Sequence, residues 1–142
     1  MNILQARKNE SGEVYTMKKF YKMSESEMEI MKTIWELAAP VTIVQLLDIF
    51  ESRKWKVQTM GTFLTRLTDK GLLSVNKQKN TNYYTSVITE QEYNRLEAQN
   101  LLSTMYDGSL ENFLSALYGG KKINANEAEN LKKWFEKVEN ND

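Results

Sequence analysis

The residues of this sequence best placed to do chemistry lie in a basic stretch between Arg53 and Lys79. The stretch holds seven basic residues and one acid, Asp69, which gives a local net charge of +6. Polar side chains recur there with helical spacing: Gln58, Thr59, Thr62, Thr65 and Arg66. Side chains of these types bind base edges and phosphates, so the pattern indicates binding of a polyanion such as DNA. A solvated basic surface is the alternative interpretation of the charge alone.

Two absences restrict the chemistry further, since the sequence contains no Cys and no His. Disulfides, thiolate or imidazole metal sites and Cys- or His-based nucleophilic catalysis are therefore excluded. A carboxylate-only enzyme is the remaining catalytic alternative, but paired carboxylates on a helix are usually a solvated surface. We expect no catalytic residue, no metal site and no cofactor, and hence no enzyme. The chain is neutral overall, with 19 basic and 19 acidic residues, but DNA binding requires a positive face rather than a positive total.

Helix signals place the basic stretch in context. A first helix is predicted from Ser24 to Ala38, because Ser24 and Glu27 form a capping box and Pro40 prevents continuation. A second helix is predicted from Thr42 to Phe50 or Ser52, opened by a capping box of Thr42 with Gln45.

A third helix is predicted from Val57 to Lys70, followed by Gly71 as its stop. Its inward side is apolar: Val57, Met60, Phe63, Leu64 and Leu67. Strands are predicted at 72–76 and 83–87, joined by a turn at 77–82 that carries Lys77 and Lys79. Trp35 and Trp55 are interpreted as core or rim packing. Three helices followed by a hairpin with a basic tip predict a winged helix-turn-helix.

The fold class is therefore mainly α (α+β), with a winged helix-turn-helix domain over residues 23–88 and a helical dimerisation region over 89–142. Residues 1–22 show no sustained period and are predicted to be a disordered leader. No apolar run reaches the length of a membrane span, so we expect no membrane insertion and a cytoplasmic location.

The helical region after residue 89 is rich in large apolar side chains but too small to bury them alone. Helices are predicted over about seventeen residues from Thr89, from Ser109 to Tyr118, and from about Asn126 to Val138. Burial against a second copy of the chain is the economical solution, so a homodimer is expected. The candidate dimerisation residues are Leu101, Leu102, Met105, Leu110, Phe113, Leu114, Leu117, Leu131, Trp134 and Phe135.

In a winged helix-turn-helix the third helix enters the major groove of double-stranded DNA. The candidate DNA-binding residues are Thr42, Gln58, Thr59, Gly61, Thr62, Arg66, Lys77 and Lys79. Gln58, Thr59 and Thr62 would meet bases, while Thr42, at a helix start, and the cations would meet phosphates or the minor groove. The alternatives are that Gln58 and Thr59 are N-terminal caps and that Arg66 pairs with Asp69.

Several motifs carry a family resemblance: Ser24–Met31 with Ile34-Trp35, Val41–Ile43, Thr59 with Thr62–Leu67, Lys70–Leu73, Tyr83–Ser86 and Leu102–Gly108. Together they resemble the BlaI/MecI/CopY family of penicillinase and methicillin-resistance repressors over about residues 23–138. The resemblance implies a transcriptional repressor that binds a palindromic operator as a homodimer and controls a resistance or stress operon.

The resemblance also implies induction through a membrane-bound sensor protease, with cleavage in the C-terminal part. Ala116-Leu117 aligns with the cleaved pair, although the Asn-Phe found in relatives is not at that position. The copper branch of the family uses C-terminal cysteines, which this chain lacks. Gly61 stands where relatives often carry a polar reader, so we expect a different operator or weaker specificity. The alternative function is a winged-helix protein-interaction module without sequence-specific DNA binding.

Overall fold

The computed structural model describes residues 20–140 and, before them, the strands β1 (Gln5–Lys8) and β2 (Val14–Met17). The chain divides into two units, Met1–Asn100 and Leu101–Asp142. The division falls later than the predicted boundary between residues 88 and 89. The reason is that Tyr93 and Leu96, on helix α4 (Glu90–Tyr106), are part of the core of the first unit.

The first two helices begin where their capping boxes predicted. In α1 (Glu25–Leu37), Ser24 Oγ accepts the Glu27 N–H at 3.2 Å, and the Glu27 carboxylate accepts the Ser24 N–H at 2.9 Å. In α2 (Ile43–Ile49), Thr42 and Gln45 form the same reciprocal pair. These bonds satisfy amides that the helix itself leaves without partners, which fixes both starts.

The third helix, α3 (Val57–Asp69), follows a single 3₁₀ turn at Glu51–Arg53. Gly71 follows the C-cap Lys70 and stops the helix with a left-handed φ of 82°, as the sequence predicted. Met60, Leu64 and Leu67 are buried on its inner side. The prediction that Val57 faces inward was wrong: Val57 is 60% exposed, because it occupies the first turn at the helix end.

A two-stranded antiparallel sheet follows, formed by β3 (Leu73–Gln78) and β4 (Thr81–Ser86). The register runs from Leu73 opposite Ser86 to Gln78 opposite Thr81, so the connection is two residues long rather than the predicted six. Cross-strand pairing continues through residues that locally favour a turn. Val41 adds an isolated bridge to Tyr84, which joins the start of α2 to the sheet.

The first unit has one hydrophobic core, drawn from α1, α2, α3, β3, β4 and the first half of α4. Its fully buried members include Ile30, Met31, Leu46, Leu64 and Tyr93. Trp35 packs against this core as predicted, and its indole N–H donates to the Ile88 carbonyl at 2.8 Å. The core therefore fixes α3 from one side and leaves its opposite side open.

The leader differs from its prediction. Within it, β1 and β2 pair in an antiparallel hairpin, from Gln5 opposite Met17 to Lys8 opposite Val14. Phe20 and Tyr21 pack against the core and Met23 is buried, because Tyr93 Oη bonds the Tyr21 carbonyl and the Met23 N–H, each at 3.0 Å. The rest of the leader up to residue 19 lies outside the described residues.

The second unit contains the end of α4, then α5 (Leu110–Tyr118) and α6 (Ala125–Asn140). Ser109 caps α5, and Gly119 ends it with a left-handed φ of 56°. Between residues 101 and 140 no side chain is fully buried. No helix in the described part of the chain is both long and apolar enough to cross a membrane. The predicted mainly helical fold class is confirmed.

Candidate nucleic-acid interface

An open groove of about 700 Å³ runs along the outer side of α3. Its lining comes mostly from that helix: Gln58, Gly61, Thr62, Thr65, Arg66, Asp69 and Lys70, with Ile43 and Tyr84 beside them. Gln58, Thr62 and Arg66 are exposed, as their spacing predicted. Thr65 and Lys70 were not among the predicted site residues, although Thr65 belongs to the same outward stripe and could have been included on that signal.

Thr59 is the exception on the predicted face. It is half-buried and does not line the groove, whereas Gln58 and Thr62 do. A helix turns 100° per residue, so Thr59 sits at the border between the apolar and polar sides. The candidate base-contacting residues that line the groove are therefore Gln58, Thr62 and Thr65.

The alternative that Gln58 and Thr59 cap the helix was wrong. The N-cap of α3 is Lys56, and no side chain forms a cap hydrogen bond there. Thr62 Oγ1 donates to the Gln58 carbonyl at 2.9 Å, which still leaves the Thr62 oxygen free to accept and its methyl group free to contact a base. The polar side chains of this face are thus available to a ligand.

Gly61 lies in the middle of the groove. An ideal Cβ built on it meets nothing within 4 Å, and its φ is not left-handed. Neither packing nor backbone conformation in the free protein requires a glycine there. The position allows another molecule to approach the backbone of α3 closely.

Thr42, where a phosphate contact was predicted at the start of a helix, uses both its side chain and its backbone N–H in the capping box of α2. Its Oγ1 accepts the Gln45 N–H at 3.2 Å, and its own N–H donates to Gln45 Oε1 at 2.9 Å. The residue is committed to starting α2, so its contribution to the interface is the position of that helix.

The hairpin carries one of its two lysines at the tip. Lys79 is in the two-residue turn with a left-handed φ of 57°, and it is exposed. Lys77 is not at the tip as predicted, because it lies within β3 opposite Asn82. Both side chains remain exposed to solvent, so both stay candidate phosphate contacts.

The cations around α3 are not all equally free. Arg53 pairs with Glu29 and lies 5.3 Å from the centre of the Trp55 ring, which itself packs between Phe50 and Phe63. Arg66 does not pair with Asp69 among the residues that the structure describes. Arg66 and Lys70 therefore supply positive charge at the end of the groove, whereas Arg53 does not line it and pairs with Glu29 instead.

The predicted dimerisation residues lie on helices that expose apolar side chains. Leu101, Met105, Leu110, Leu117, Trp134 and Phe135 are exposed, and Leu102, Phe113, Leu114 and Leu131 are half-buried. Within the unit, Tyr106 and Phe113 meet edge to face at 5.5 Å, as Trp134 and Phe135 do at 5.0 Å. Ala116 and Leu117, the candidate cleavage pair, are exposed in the last turn of α5.

Among the described residues, no cluster of His, Cys, Asp or Glu could hold a metal ion. The candidate site is instead an open, polar and basic groove beside a short helix, next to a two-stranded hairpin with a lysine at its tip. Helices α1 to α3 followed by this hairpin define a winged helix-turn-helix protein, in which α3 is the helix that presents its side chains outward.

The chain belongs to the penicillinase repressor family, whose sequence model matches residues 23–137. It is 27% identical over 124 residues to the penicillinase repressor of Bacillus licheniformis, and the alignment covers 87% of this chain and 97% of that protein. The methicillin resistance regulatory protein MecI of Mammaliicoccus sciuri is 26% identical over 116 residues, or 80% of this chain and 93% of that protein.

A solved structure, the DNA-binding domain of the repressor BlaI, is 32% identical and covers 54% of this chain and 94% of that one, with a TM-score of 0.48. The family resemblance identified in the sequence is thus confirmed by the family match and by the named relatives. The family is one of transcriptional repressors and not of enzymes.

Proposed function

We propose that this protein represses transcription by binding a palindromic operator as a homodimer, with the outer side of α3 in the major groove of each half-site. Membership of the penicillinase repressor family makes the chain a DNA-binding repressor. The observation that supports this docking is the groove along α3, which is lined by polar and basic side chains that are exposed to solvent. A repressor of this family acts on DNA inside the cell, so we place the protein in the cytoplasm, and we propose no enzymatic activity for it.

Within this docking, each side chain has a distinct task. Gln58 can bond an adenine edge in two places, while Thr62 and Thr65 can accept, donate or contact a thymine methyl group. Arg66 lies one turn beyond Thr62, and Lys70 follows the last residue of α3. Both are placed to contact phosphates at the edge of the major groove. Lys79 at the hairpin tip suits the neighbouring phosphate backbone or minor groove.

The homodimer is supported by the composition of the second unit. Residues 101–140 expose large apolar side chains and bury none completely, whereas a unit that folds alone needs a core. A second copy of the same face can cover them in a two-fold interface. Two copies also place two α3 helices on one duplex, which matches an operator of two half-sites.

Regulation by a membrane-bound sensor protease is the part of the family resemblance that this structure supports least. The bond between Ala116 and Leu117 is in helical conformation within α5. Proteases bind extended backbone, so α5 would have to unwind locally before cleavage. The proposed function therefore involves no proteolytic step.

The proposal is tested by selecting binding sequences from a library of randomised duplexes and then sequencing them. We expect two inverted half-sites whose centres are separated by about one helical turn of DNA or a multiple of it. Affinity for the selected duplex, measured by fluorescence anisotropy, is expected to fall steeply between about 50 and 200 mM salt.

Sedimentation velocity of the free protein and of the complex separates the two functions considered. The repressor is expected to be a dimer that binds one duplex. A monomer for which no sequence is enriched would instead favour the winged-helix protein-interaction module. The double variant Trp134→Ala/Leu117→Ala should shift the protein toward monomer, while Lys32→Ala, an exposed change on α1, should not.

A further inference from the structure

Tyr21 connects the segment before α1 to a buried carboxylate. Its Oη lies 2.9 Å from each carboxylate oxygen of Glu27, and Glu27 is only 1% exposed. The same carboxylate also accepts the Ser24 N–H at 2.9 Å. A buried carboxylate requires such donors, and the Tyr21 hydroxyl is one of them. The phenol group is therefore held in one orientation.

On its other side, Tyr21 meets the cationic end of α3. Lys70 Nζ lies 5.6 Å from the centre of the Tyr21 ring, within range of a cation–π interaction. Burial and the Glu27 carboxylate raise the pKa of Tyr21, while the Arg66 guanidinium acts in the opposite direction by charge and by hydrogen bonding. Because the phenol O–H donates to Glu27, its oxygen is free to accept from Arg66.

The position of Tyr21 does not depend on its own hydroxyl. Tyr93 Oη donates to the Tyr21 carbonyl at 3.0 Å and accepts the Met23 N–H at the same distance. Phe20 packs against the Tyr93 ring with the centroids 5.5 Å apart. These contacts anchor the backbone on both sides of Tyr21, so its side chain can be altered without releasing the segment.

We propose that Tyr21 is a positioning residue for DNA binding, which holds Arg66 and Lys70 at the end of the α3 groove in the orientation that phosphates require. The inference rests on the proposed function, because it assumes that these two cations meet DNA. Long basic side chains lose rotamer freedom when they bind, and ordering them in the free protein reduces that loss. The segment before α1 thereby contributes to DNA binding indirectly, through Arg66 and Lys70, although it lies outside the helix-turn-helix.

The test is a double-mutant cycle of Tyr21→Phe with Arg66→Ala. The probe is a mixed-sequence duplex of about 30 base pairs, since phosphate contacts do not depend on sequence. Tyr21→Phe keeps the ring under Lys70 but removes the hydroxyl. We expect each single variant to weaken binding by about three- to tenfold and to reduce the slope of log affinity against log salt by up to about one. The double variant should bind no more weakly than Arg66→Ala alone.

The ring is tested separately by comparing Tyr21→Leu with Tyr21→Phe, since both lack the hydroxyl and only the first lacks the aromatic ring. Tyr21→Leu should bind more weakly than Tyr21→Phe, and this difference should disappear when both are combined with Lys70→Ala. All variants are compared at a temperature where circular dichroism shows them folded. Ile34→Val, a conservative change in the core, serves as the stability control: it should lower the melting temperature and leave the salt slope unchanged.

Additive losses in the two cycles, or wild-type binding by Tyr21→Phe, would overturn the positioning role while leaving the proposed docking intact. Wild-type affinity and salt slope in Arg66→Ala would overturn this inference and the phosphate contact assigned to Arg66, whereas failure to select any operator would overturn the proposed function. The cycle therefore distinguishes a failure of this inference from a failure of the proposed function.

Discussion

Replacing Gly61 by alanine is expected to stabilise the protein and weaken its complex with DNA. Gly61 lies within α3, where alanine is more favourable than glycine by about 1 kcal/mol. The added methyl group has open space around it, with nothing within 4 Å. No clash offsets the gain, so the free energy of unfolding should rise by about 0.5–1 kcal/mol. For a unit of this size, the midpoint of thermal unfolding should rise by about 2–6 °C.

The same methyl group projects into the groove between Gln58 and Thr65. If the backbone of α3 approaches base edges at Gly61, the methyl group occupies that space and holds the flanking side chains back from the bases. We expect the affinity for the selected operator to fall by about tenfold or more, which corresponds to about 1.4 kcal/mol. Thermal unfolding by circular dichroism and anisotropy titration of the same sample measure the two effects.

Ala98→Gly is the matched control for this prediction. Ala98 is exposed on α4, so the reverse exchange should lower stability by a similar amount and leave operator affinity unchanged. Operator binding by Gly61→Ala that equals or exceeds the wild type would refute the close approach. A drop in stability would refute the open surroundings from which the gain was calculated.

Three further substitutions test the other parts of the interface. Gln58→Ala should weaken binding to the selected operator by about 1–3 kcal/mol, measured by anisotropy titration. The loss should be larger than for Thr59→Ala, because Gln58 is exposed and Thr59 is half-buried. Equal losses would contradict this reasoning. Lys79→Ala should weaken selected and mixed-sequence duplexes alike and lower the salt slope by about one, unlike Lys32→Ala. Thr42→Ala should lower the free energy of unfolding, measured in urea, by about 1 kcal/mol without changing the salt slope of DNA binding. A lower salt slope would instead show that Thr42 contacts a phosphate.

The local signals in the sequence predicted most of the helical framework. Ser24 and Thr42 each combine a capping side chain with an acceptor three residues later, and Gly71 and Gly119 take up left-handed conformations that stop a helix. These features act within a few residues, so they can be recognised without the fold. The outward stripe of α3 was predictable for the same reason, apart from Thr59 at its border.

The features that were missed depend on partners distant in sequence. Lys77 lies in a strand because it pairs with Asn82, although its own neighbourhood favours a turn. Tyr21 belongs to the first unit through Glu27, Tyr93 and Lys70, which no periodicity near residue 21 reveals. One signal was available: an apolar Met23 directly before the cap Ser24 indicates a chain that packs back onto its helix.

The helix proposed to contact DNA bases, α3, has the least favourable local sequence for a helix. Helix α3 has no side-chain cap at its start and a glycine inside it, whereas α1, α2 and α5 each begin with a capping side chain. It is held by the burial of Met60, Leu64 and Leu67 instead. Short helices depend on such packing more than on their own propensity, so the outer side of α3 can be composed for binding. Changes that improve helix propensity on this side should therefore trade DNA affinity for stability, while equivalent changes on the exposed side of α1 should raise stability alone.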